Sequence, residues 1–303
     1  MRTAHNFTRV ILAAIAAMVI STVSFRANAQ TVHSVTANPG ENSESAINIS
    51  WNSDIQGTYV VYSPAEGGKG KGPFTAVPET EFMCLTYDGL PSRDAAGVNF
   101  DQDVKFYKCG ASLTSLKKNT EYIYYICSKD GERLCANHRF KTSGARNWSA
   151  IVISDYHSYT PLPARLAGAM AMTRKVEAFD GSSDWVLHLG DICAWGGSYD
   201  FWKTMYKEDL FSKYFVAGVN GNHDNMTRTN GQSGDFFKNA NYFPRNGYGD
   251  QMGICYHFRY SDALFIMLNN EAMRPQEGFE EAQAWVRKVI TEQKASANPP
   301  KYI

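Results

Sequence analysis

The sequence lacks any excess of charge of one sign. Its 303 residues contain 30 Lys and Arg and 30 Asp and Glu, so the formal net charge is zero. A chain without a surplus of basic residues has no electrostatic reason to bind nucleic acid or an anionic membrane surface. We therefore expect neither of them as a partner.

The sequence also lacks an apolar run long enough for a membrane-spanning helix. Such a helix needs about 20 apolar residues, and the stretch from Val10 to Val23 is shorter. Two arginines precede this stretch and Ala27-Asn28-Ala29 follows it, which is typical of a secretory signal peptide with an A-x-A cleavage site. The alternative is an uncleaved anchor. We predict a signal peptide at residues 1–29, a secreted or periplasmic protein, and no membrane association after cleavage.

A phosphate-binding loop of the G-x-x-x-x-G-K-[ST] type is missing. The glycine-rich run from Gly67 to Gly72 does not have this spacing, and no helical pattern follows it. We predict a mobile hairpin loop there.

Cysteines are few, with six in the chain. Export to an oxidising compartment makes disulfides possible. Cys127 and Cys135 flank an Asp-Gly turn between two strand-like runs, so we predict a bridge across this hairpin, with Cys84 and Cys109 as a second pair. For Cys193, a buried structural thiol and a place in the lining of a site both stay open.

The rest of the sequence divides into two regions. From Thr31 to about Thr142, strand-like runs alternate with Pro, Gly, Asn and Asp, and no helical period is present. This pattern predicts an all-β sandwich, assigned to residues 30–143. The stretch from Leu113 to Tyr124 resembles the E–F corner of a fibronectin type III domain. In that resemblance Tyr122 is the corner tyrosine, whose hydroxyl bonds back to the backbone.

After a linker at residues 142–146, strand-like and helical segments alternate. Strands are predicted at 150–153, 185–189 and 214–219, and helices at 162–179, 199–211 and 277–294. This order implies a mainly parallel sheet with helices on its faces, assigned to residues 147–303. His188 and His257 lie inside strand-like runs, and we interpret both as structural.

Three polar clusters come directly after the three predicted strands. They are Ser154-Asp155-Tyr156-His157, Gly190-Asp191-Ile192-Cys193 and Gly221-Asn222-His223-Asp224. Because parallel strands end at one edge of a sheet, we expect these side chains to converge there. Hard oxygen and imidazole ligands suit a pair of divalent metal ions. Singly, each residue has another explanation, such as a helix N-cap, a turn or a hydrogen-bonded polar group.

In this order and spacing, D-x-H, G-D and G-N-H-D resemble the first half of the calcineurin-like metallophosphoesterase signature. The fibronectin-like region in front narrows the resemblance to the purple acid phosphatase branch. The implied fold is a fibronectin III-like sandwich followed by an α/β metallophosphoesterase-type layered domain. The resemblance also implies that Asp155 and His157 bind a first metal ion, that Asp191 bridges two ions and that Asn222 binds the second.

The same resemblance assigns His223 to the reacting phosphate and Asp224 to the orientation of the His223 imidazole. The implied activity is hydrolysis of phosphate monoesters by a metal-activated water at a dinuclear centre. Two alternatives stay open: a phosphodiesterase on the same core, and a non-catalytic binding protein that kept the fold.

The sequence departs from the purple acid phosphatase pattern at two points. That branch carries D-x-G and G-D-x-x-Y, whose tyrosine binds ferric iron, whereas His157 and Ala194 stand at those positions here. We therefore expect two divalent ions of Fe, Mn, Zn or Co type. The family's later histidine ligands have no counterpart before Ile303. We expect a C-terminally truncated sequence, with weak or no activity in this 303-residue piece.

Overall fold

A computed structural model gives the fold of the chain. It describes residues 31–66, 72–87, 102–181, 183–226 and 235–303. The predicted signal peptide and most of the predicted glycine-rich loop lie outside these residues. Among the helices that are described, none combines the length and the apolar character needed to cross a bilayer.

The described part of the N-terminal region consists of eight strands in two antiparallel sheets. The strands are β1 (Val32–Pro39), β2 (Ile47–Ser53), β3 (Tyr59–Pro64), β4 (Phe74–Ala76), β5 (Glu79–Tyr87), β6 (Gln102–Leu113), β7 (Glu121–Cys127) and β8 (His138–Lys141). One sheet has the order β1-β2-β6-β5 and the other the order β4-β3-β7-β8. The predicted strand-rich region is confirmed, and its fibronectin-like character stays a prediction.

Tyr122 makes the backbone hydrogen bond that the resemblance to a fibronectin corner implies. Its hydroxyl accepts the backbone amide of Lys117 at 2.9 Å. The ring is buried and stacks on Phe140, with ring centroids 5.3 Å apart. The tyrosine therefore fastens the turn that leads into β7 to the interior of its sheet.

The two predicted disulfides are wrong, since all six cysteines lie within the described ranges and all are free. In the register of β5 and β6, Cys84 faces Lys105 and Cys109 faces Thr80. The two cysteines are thus four residue positions apart on paired strands, which is about 14 Å along the strands at a rise of about 3.4 Å per residue. That separation is too large for a disulfide.

The hairpin after β7 also holds its two thiols out of register. Cys127 pairs with Arg133, so Cys135 lies two positions beyond the residue that Cys127 faces. The Cys135 sulfur accepts the backbone amide of Ile126 at 3.2 Å instead. The Asp-Gly turn is present, but its strands place the two cysteines diagonally.

The C-terminal region shows the predicted alternation of strands and helices. Its elements are β9 (Ala150–Ile153), α1 (Pro163–Asp180), β10 (Trp185–His188), α2 (Tyr199–Met205), α3 (Leu210–Lys213), β11 (Val216–Gly218), α4 (Asp235–Ala240), β12 (Tyr256–Tyr260), β13 (Ala263–Met267) and α5 (Gln276–Lys294). Strands β9, β10 and β11 form a parallel sheet in the order β11-β10-β9, and β12 and β13 form an antiparallel hairpin. The parallel sheet is confirmed, and the helix predicted at 199–211 is divided into α2 and α3.

Strand β10 is the centre of the parallel sheet. Trp185 and Val186 are fully buried, as is usual for a parallel strand covered on both faces. Trp185 stacks on Phe215 and Tyr260, with centroid distances of 5.5 and 5.2 Å. These contacts fix the sheet whose carboxyl edge carries the three polar clusters.

Candidate metal centre

The three polar clusters lie in the loops that follow β9, β10 and β11. Because these strands are parallel, their carboxyl ends meet at one edge of the sheet, where ligands bind in open α/β folds. The sequence-based expectation that the clusters share one edge is thus confirmed.

Three side chains, one from each loop, form the closest group. One ligand atom each from His157, Asp191 and His223 lies within 4.8 Å of the other two. His157 Nε2 is 3.1 Å from Asp191 Oδ2, and the two imidazole centroids are 4.4 Å apart. All three side chains are partly buried, so they are reachable from solvent and held by the fold.

The backbone of this site is in an unusual conformation. Asp155, His157 and Asp191 have φ angles of +58°, +45° and +55°. A left-handed conformation costs a residue with a side chain roughly 1–2 kcal/mol. Such strain persists only where the surroundings impose it, and it concentrates at functional sites.

Backbone hydrogen bonds between the first two loops impose this conformation. The amide of Asp155 donates to the carbonyl of Gly190 at 3.1 Å, and the amide of His157 donates to the carbonyl of Asp191 at 3.0 Å. The amide of Ser158 continues the series to the carbonyl of Ile192 at 2.9 Å. The two loops are therefore paired edge to edge beyond the ends of their strands.

Asp191 connects all three loops. Its Oδ1 accepts the backbone amide of His223 at 3.0 Å, while Oδ2 faces the His157 ring. The third loop approaches so closely that a Cβ atom at Gly221 would overlap the Oδ1 and the backbone nitrogen of Asp191. A glycine is required at this position by the space that the carboxylate occupies.

The ring of His223 is held by a backbone carbonyl. His223 Nδ1 lies 2.9 Å from the carbonyl oxygen of Ala194. A carbonyl only accepts, so Nδ1 carries a proton and donates it to Ala194, and Nε2 is left for another contact. Histidines that bind metals commonly have their other ring nitrogen fixed in this way. The structure thus places His223 among groups able to hold a metal ion, whereas the sequence assigned it to the phosphate.

Asp224 does not orient the His223 imidazole as expected, because Ala194 takes that place. The Asp224 carboxylate is fully buried and accepts the backbone amides of Cys193 at 2.9 Å and Gly221 at 3.0 Å. Burial raises the pKa of Asp224 to about 7, against the opposing effect of these amide hydrogen bonds. Asp224 therefore ties the second loop to the third, below the site.

Asp155 is at the same sheet edge but is not part of the group of His157, Asp191 and His223, and Asn222 lies next to His223 in the third loop. Both are exposed. The Asp155 carboxylate accepts the hydroxyl of Ser154. Their assignment as metal ligands stays a prediction.

Sequence reasoning missed the contributions of the backbone. The carbonyl of Ala194 and the amide of Cys193 hold His223 and Asp224, and neither depends on a side chain that a motif would show. The Cys193 thiol itself is fully buried, and burial raises its pKa well above the ordinary value. This supports the structural interpretation of Cys193.

The group fits a first-row divalent ion. One carboxylate and two imidazoles at this spacing are the mixed oxygen and nitrogen donors that Mn, Fe, Co and Zn accept. Three protein ligands leave coordination positions open for water or substrate, as in catalytic rather than structural sites.

Comparisons with known proteins concern the family and the fold of the chain. Residues 149–302 match the family model described as calcineurin-like phosphoesterase. A purple acid phosphatase from yellow lupin (Lupinus luteus) seeds has a similar structure, with a TM-score of 0.60 and 18% identity over 86% of this chain. This chain spans 49% of the lupin chain, and at this identity the likeness concerns the fold.

A second solved structure is the sensor domain of the anti-sigma factor RsgI4 from Pseudobacteroides cellulosolvens. It matches 38% of this chain and 97% of its own length at 15% identity, with a TM-score of 0.21. No curated protein matches the chain.

Proposed function

This chain belongs to the calcineurin-like phosphoesterase family, and we propose that it is a metal-dependent phosphatase that hydrolyses phosphate monoesters. The observation that carries the proposal is the group of His157, Asp191 and His223 at the ends of three parallel strands. His157 and Asp191 are donors that suit a divalent ion, and His223 lies beside them at the usual ligand-binding edge of such a sheet.

We assign the residues to two divalent ions of Fe, Mn, Zn or Co type. Asp155 and His157 are assigned to the first ion, Asn222 to the second, and Asp191 to both. Bound ions of this kind acidify a water molecule and neutralise the charge of the phosphate. Asp191 suits the shared position because its two oxygens already face different loops.

His223 is assigned to the phosphate ester, where its ring would stabilise or protonate the leaving oxygen. The Ala194 carbonyl fixes the orientation of the ring and leaves Nε2 for this contact. A positioned acid or base of this kind contributes roughly 10²–10⁴-fold to the rate. Asp224 supports the arrangement by holding the loop that carries His223.

The test is hydrolysis of p-nitrophenyl phosphate after removal of metal with EDTA and reloading with Mn²⁺, Zn²⁺ or Fe²⁺. Residues 30–303 are assayed beside any longer reading frame that contains them. We expect weak or no hydrolysis by residues 30–303. In the longer protein we expect metal-dependent hydrolysis that Asp191→Asn abolishes and Asp130→Asn preserves, since Asp130 lies in an exposed turn. Hydrolysis that is indifferent to EDTA, or an active Asp191→Asn variant, would contradict the proposal.

Two variants of the same protein distinguish the role of His223 from that of Asp191. His223→Ala should lower kcat by roughly 10²–10⁴-fold and leave the metal content nearly unchanged, whereas Asp191→Asn should lose metal. If His223→Ala is empty of metal and Asp191→Asn is full, the two roles have to be exchanged.

The same assay decides between this proposal and its alternatives. Faster hydrolysis of bis(p-nitrophenyl) phosphate than of the monoester indicates a phosphodiesterase. Metal binding that depends on Asp191, without hydrolysis of either ester, indicates a binding protein that kept the fold.

We also propose that the protein is exported. The support is the signal-like segment at residues 1–29, which ends in Ala27-Asn28-Ala29. Expression with this segment in a bacterial host should give a secreted or periplasmic protein whose first residue is Gln30. A cytoplasmic product that starts at Met1 would contradict export.

A further inference from the structure

His188 is a buried histidine directly beneath the metal centre. It is the last residue of β10 and precedes Asp191 by three positions. Its residue exposure is 1%. Its ring meets the ring of Tyr156 edge-on, with centroids 5.3 Å apart and planes at 73°. Tyr156 stands between Asp155 and His157 in the sequence, so His188 underlies the first two loops at once.

The ring of His188 accepts a hydrogen bond from the turn that carries Asp191. The backbone amide of Gly190 donates to His188 Nδ1 at 3.2 Å. An amide only donates, so Nδ1 has a free lone pair and the ring is neutral, with its proton on Nε2. Gly190 and Asp191 have φ angles of +101° and +55°. The hydrogen bond therefore acts on the first of two successive left-handed residues.

The second ring nitrogen makes an ordinary structural role costly. His188 Nε2 is buried and has no hydrogen-bond partner among the described residues. A buried donor without a partner costs about 1–3 kcal/mol. An apolar residue would avoid this cost at a position that only fills space.

We propose that His188 is a positioning residue of the metal centre. Its Nδ1 holds the Gly190 amide, and this hydrogen bond keeps Asp191 in the left-handed conformation in which its carboxylate faces His157 and the His223 amide. The inference rests on the proposed function in one respect, because it assigns Asp191 to a bound metal.

The experiment compares two amides at position 188. In His188→Asn, the side-chain oxygen lies near the place of Nδ1 and still accepts the Gly190 amide. In His188→Gln, the oxygen lies one carbon further out, near the place of Nε2, and does not reach it. His188→Leu removes both ring nitrogens. His257→Leu is the matched control, because His257 also lies inside a strand and has an unpaired buried nitrogen, Nδ1.

Binding of Zn²⁺ and Mn²⁺ to each metal-free protein is measured by titration calorimetry. We expect His188→Gln and His188→Leu to bind roughly 10–100-fold more weakly, the usual effect of removing a group that supports a metal ligand. His188→Asn and His257→Leu should bind like the wild type. Equal affinities for His188→Asn and His188→Gln overturn the inference, and this comparison decides even if His188→Leu does not fold.

Exchange of the Gly190 amide proton in metal-free protein, followed by NMR, gives a readout that needs no metal. The amide should be protected in the wild type and in His188→Asn, and should exchange at least tenfold faster in His188→Gln. If the wild type binds no metal, the proposed function fails. The exchange rates still test whether His188 Nδ1 holds the Gly190 amide. If metal binds and the exchange is the same in all variants, the inference fails alone.

Discussion

At the scale of single residues, His157 occupies a backbone conformation that suits glycine. Its φ of +45° costs a histidine roughly 1–2 kcal/mol. The chain retains the imidazole in spite of this cost, and the imidazole is 3.1 Å from the Asp191 carboxylate. We infer that the side chain is kept for what it binds.

His157→Gly should therefore separate stability from metal binding. The metal-free variant should unfold with a free energy equal to the wild-type value or up to about 1 kcal/mol higher, because glycine accepts this conformation. Its affinity for Zn²⁺ or Mn²⁺ should fall at least tenfold. Urea unfolding and metal titration measure the two effects.

Ser115→Gly is the matched control. Ser115 has a φ of +57° and is exposed, in the loop before β7. The free energy of unfolding of Ser115→Gly should equal or slightly exceed the wild-type value, as expected for His157→Gly. Its metal affinity should be that of the wild type. A His157→Gly variant with wild-type metal affinity would show that the imidazole is not a ligand.

Gly221 gives a second prediction at this scale. A Cβ atom there would overlap Asp191, so Gly221→Ala must displace the carboxylate or the third loop. We expect metal affinity to fall at least tenfold and the metal-free protein to lose about 1–3 kcal/mol of stability, as for other overpacked sites. Normal metal binding by Gly221→Ala would mean that the three loops are further apart than the structure places them.

The residues chosen for the site could be predicted from the sequence. Their backbone conformation could not. Asp155, His157, Asp191 and His223 were predicted as site residues because chemically suited residues follow apolar runs, and the structure brings His157, Asp191 and His223 together. The role of Asp224 was wrong in part because a backbone carbonyl, which no motif encodes, holds the imidazole instead. The left-handed conformations come from hydrogen bonds between loops, and these depend on tertiary structure.

At the scale of elements, helix α1 offers a test of the fold without the site. Gly168 lies in its interior, is exposed, and has nothing within 4 Å of a Cβ position. Gly168→Ala should stabilise the protein by roughly 0.5–1 kcal/mol, because glycine loses more conformational freedom in a helix. Urea unfolding measures this, and metal affinity should not change. A destabilised variant would mean that the helix is packed differently.

Elements with strong local patterns were predicted well. Strands β9 and β10 and helices α1 and α5 agree with their predicted ranges within one residue at each end. Pairing between strands was not readable, because a register depends on both partners. The disulfide of Cys84 with Cys109 failed for this reason: the cysteines lie on paired strands, four positions out of register.

At the scale of the whole molecule, His33 joins the two regions of the chain. It lies in β1, and its Nε2 is 2.6 Å from the hydroxyl of Tyr199 at the start of α2. Burial lowers the pKa of His33 to about 3, and Lys203 and Lys207 add to the effect. Burial likewise lowers the pKa of His138 to about 4. Both histidines are therefore neutral in the folded protein.

This arrangement predicts a loss of stability in acid. Between pH 6.5 and about pH 4 the unfolded chain binds protons at these histidines and the folded chain does not, so the free energy of unfolding falls as the pH falls. The contribution is fully present above pH 6.5. Urea unfolding of metal-free protein at pH 7 and pH 5 should show the loss, and it should be smaller for His33→Gln, which does not titrate. An equal loss in that variant would exclude His33 as a cause.

The division into two regions was predictable because apolar residues recur with a period of two residues in strands and 3.6 residues in helices. The contacts between the regions were not. Asn38, for example, donates from β1 to the carbonyl of Val216 at 3.0 Å, across 178 positions of sequence. No local pattern indicates such a pair, so the way in which β1 supports the parallel sheet is known only from the structure.

The central claim is that the loops after β9, β10 and β11 hold a divalent metal at Asp191. The most direct measurement is an anomalous-difference map, recorded at the zinc edge, from crystals of the protein loaded with Zn²⁺. We predict a peak about 2.0–2.2 Å from a carboxylate oxygen of Asp191 and from an imidazole nitrogen of His157. Zinc peaks only elsewhere on the protein, with none at Asp191, would contradict the account.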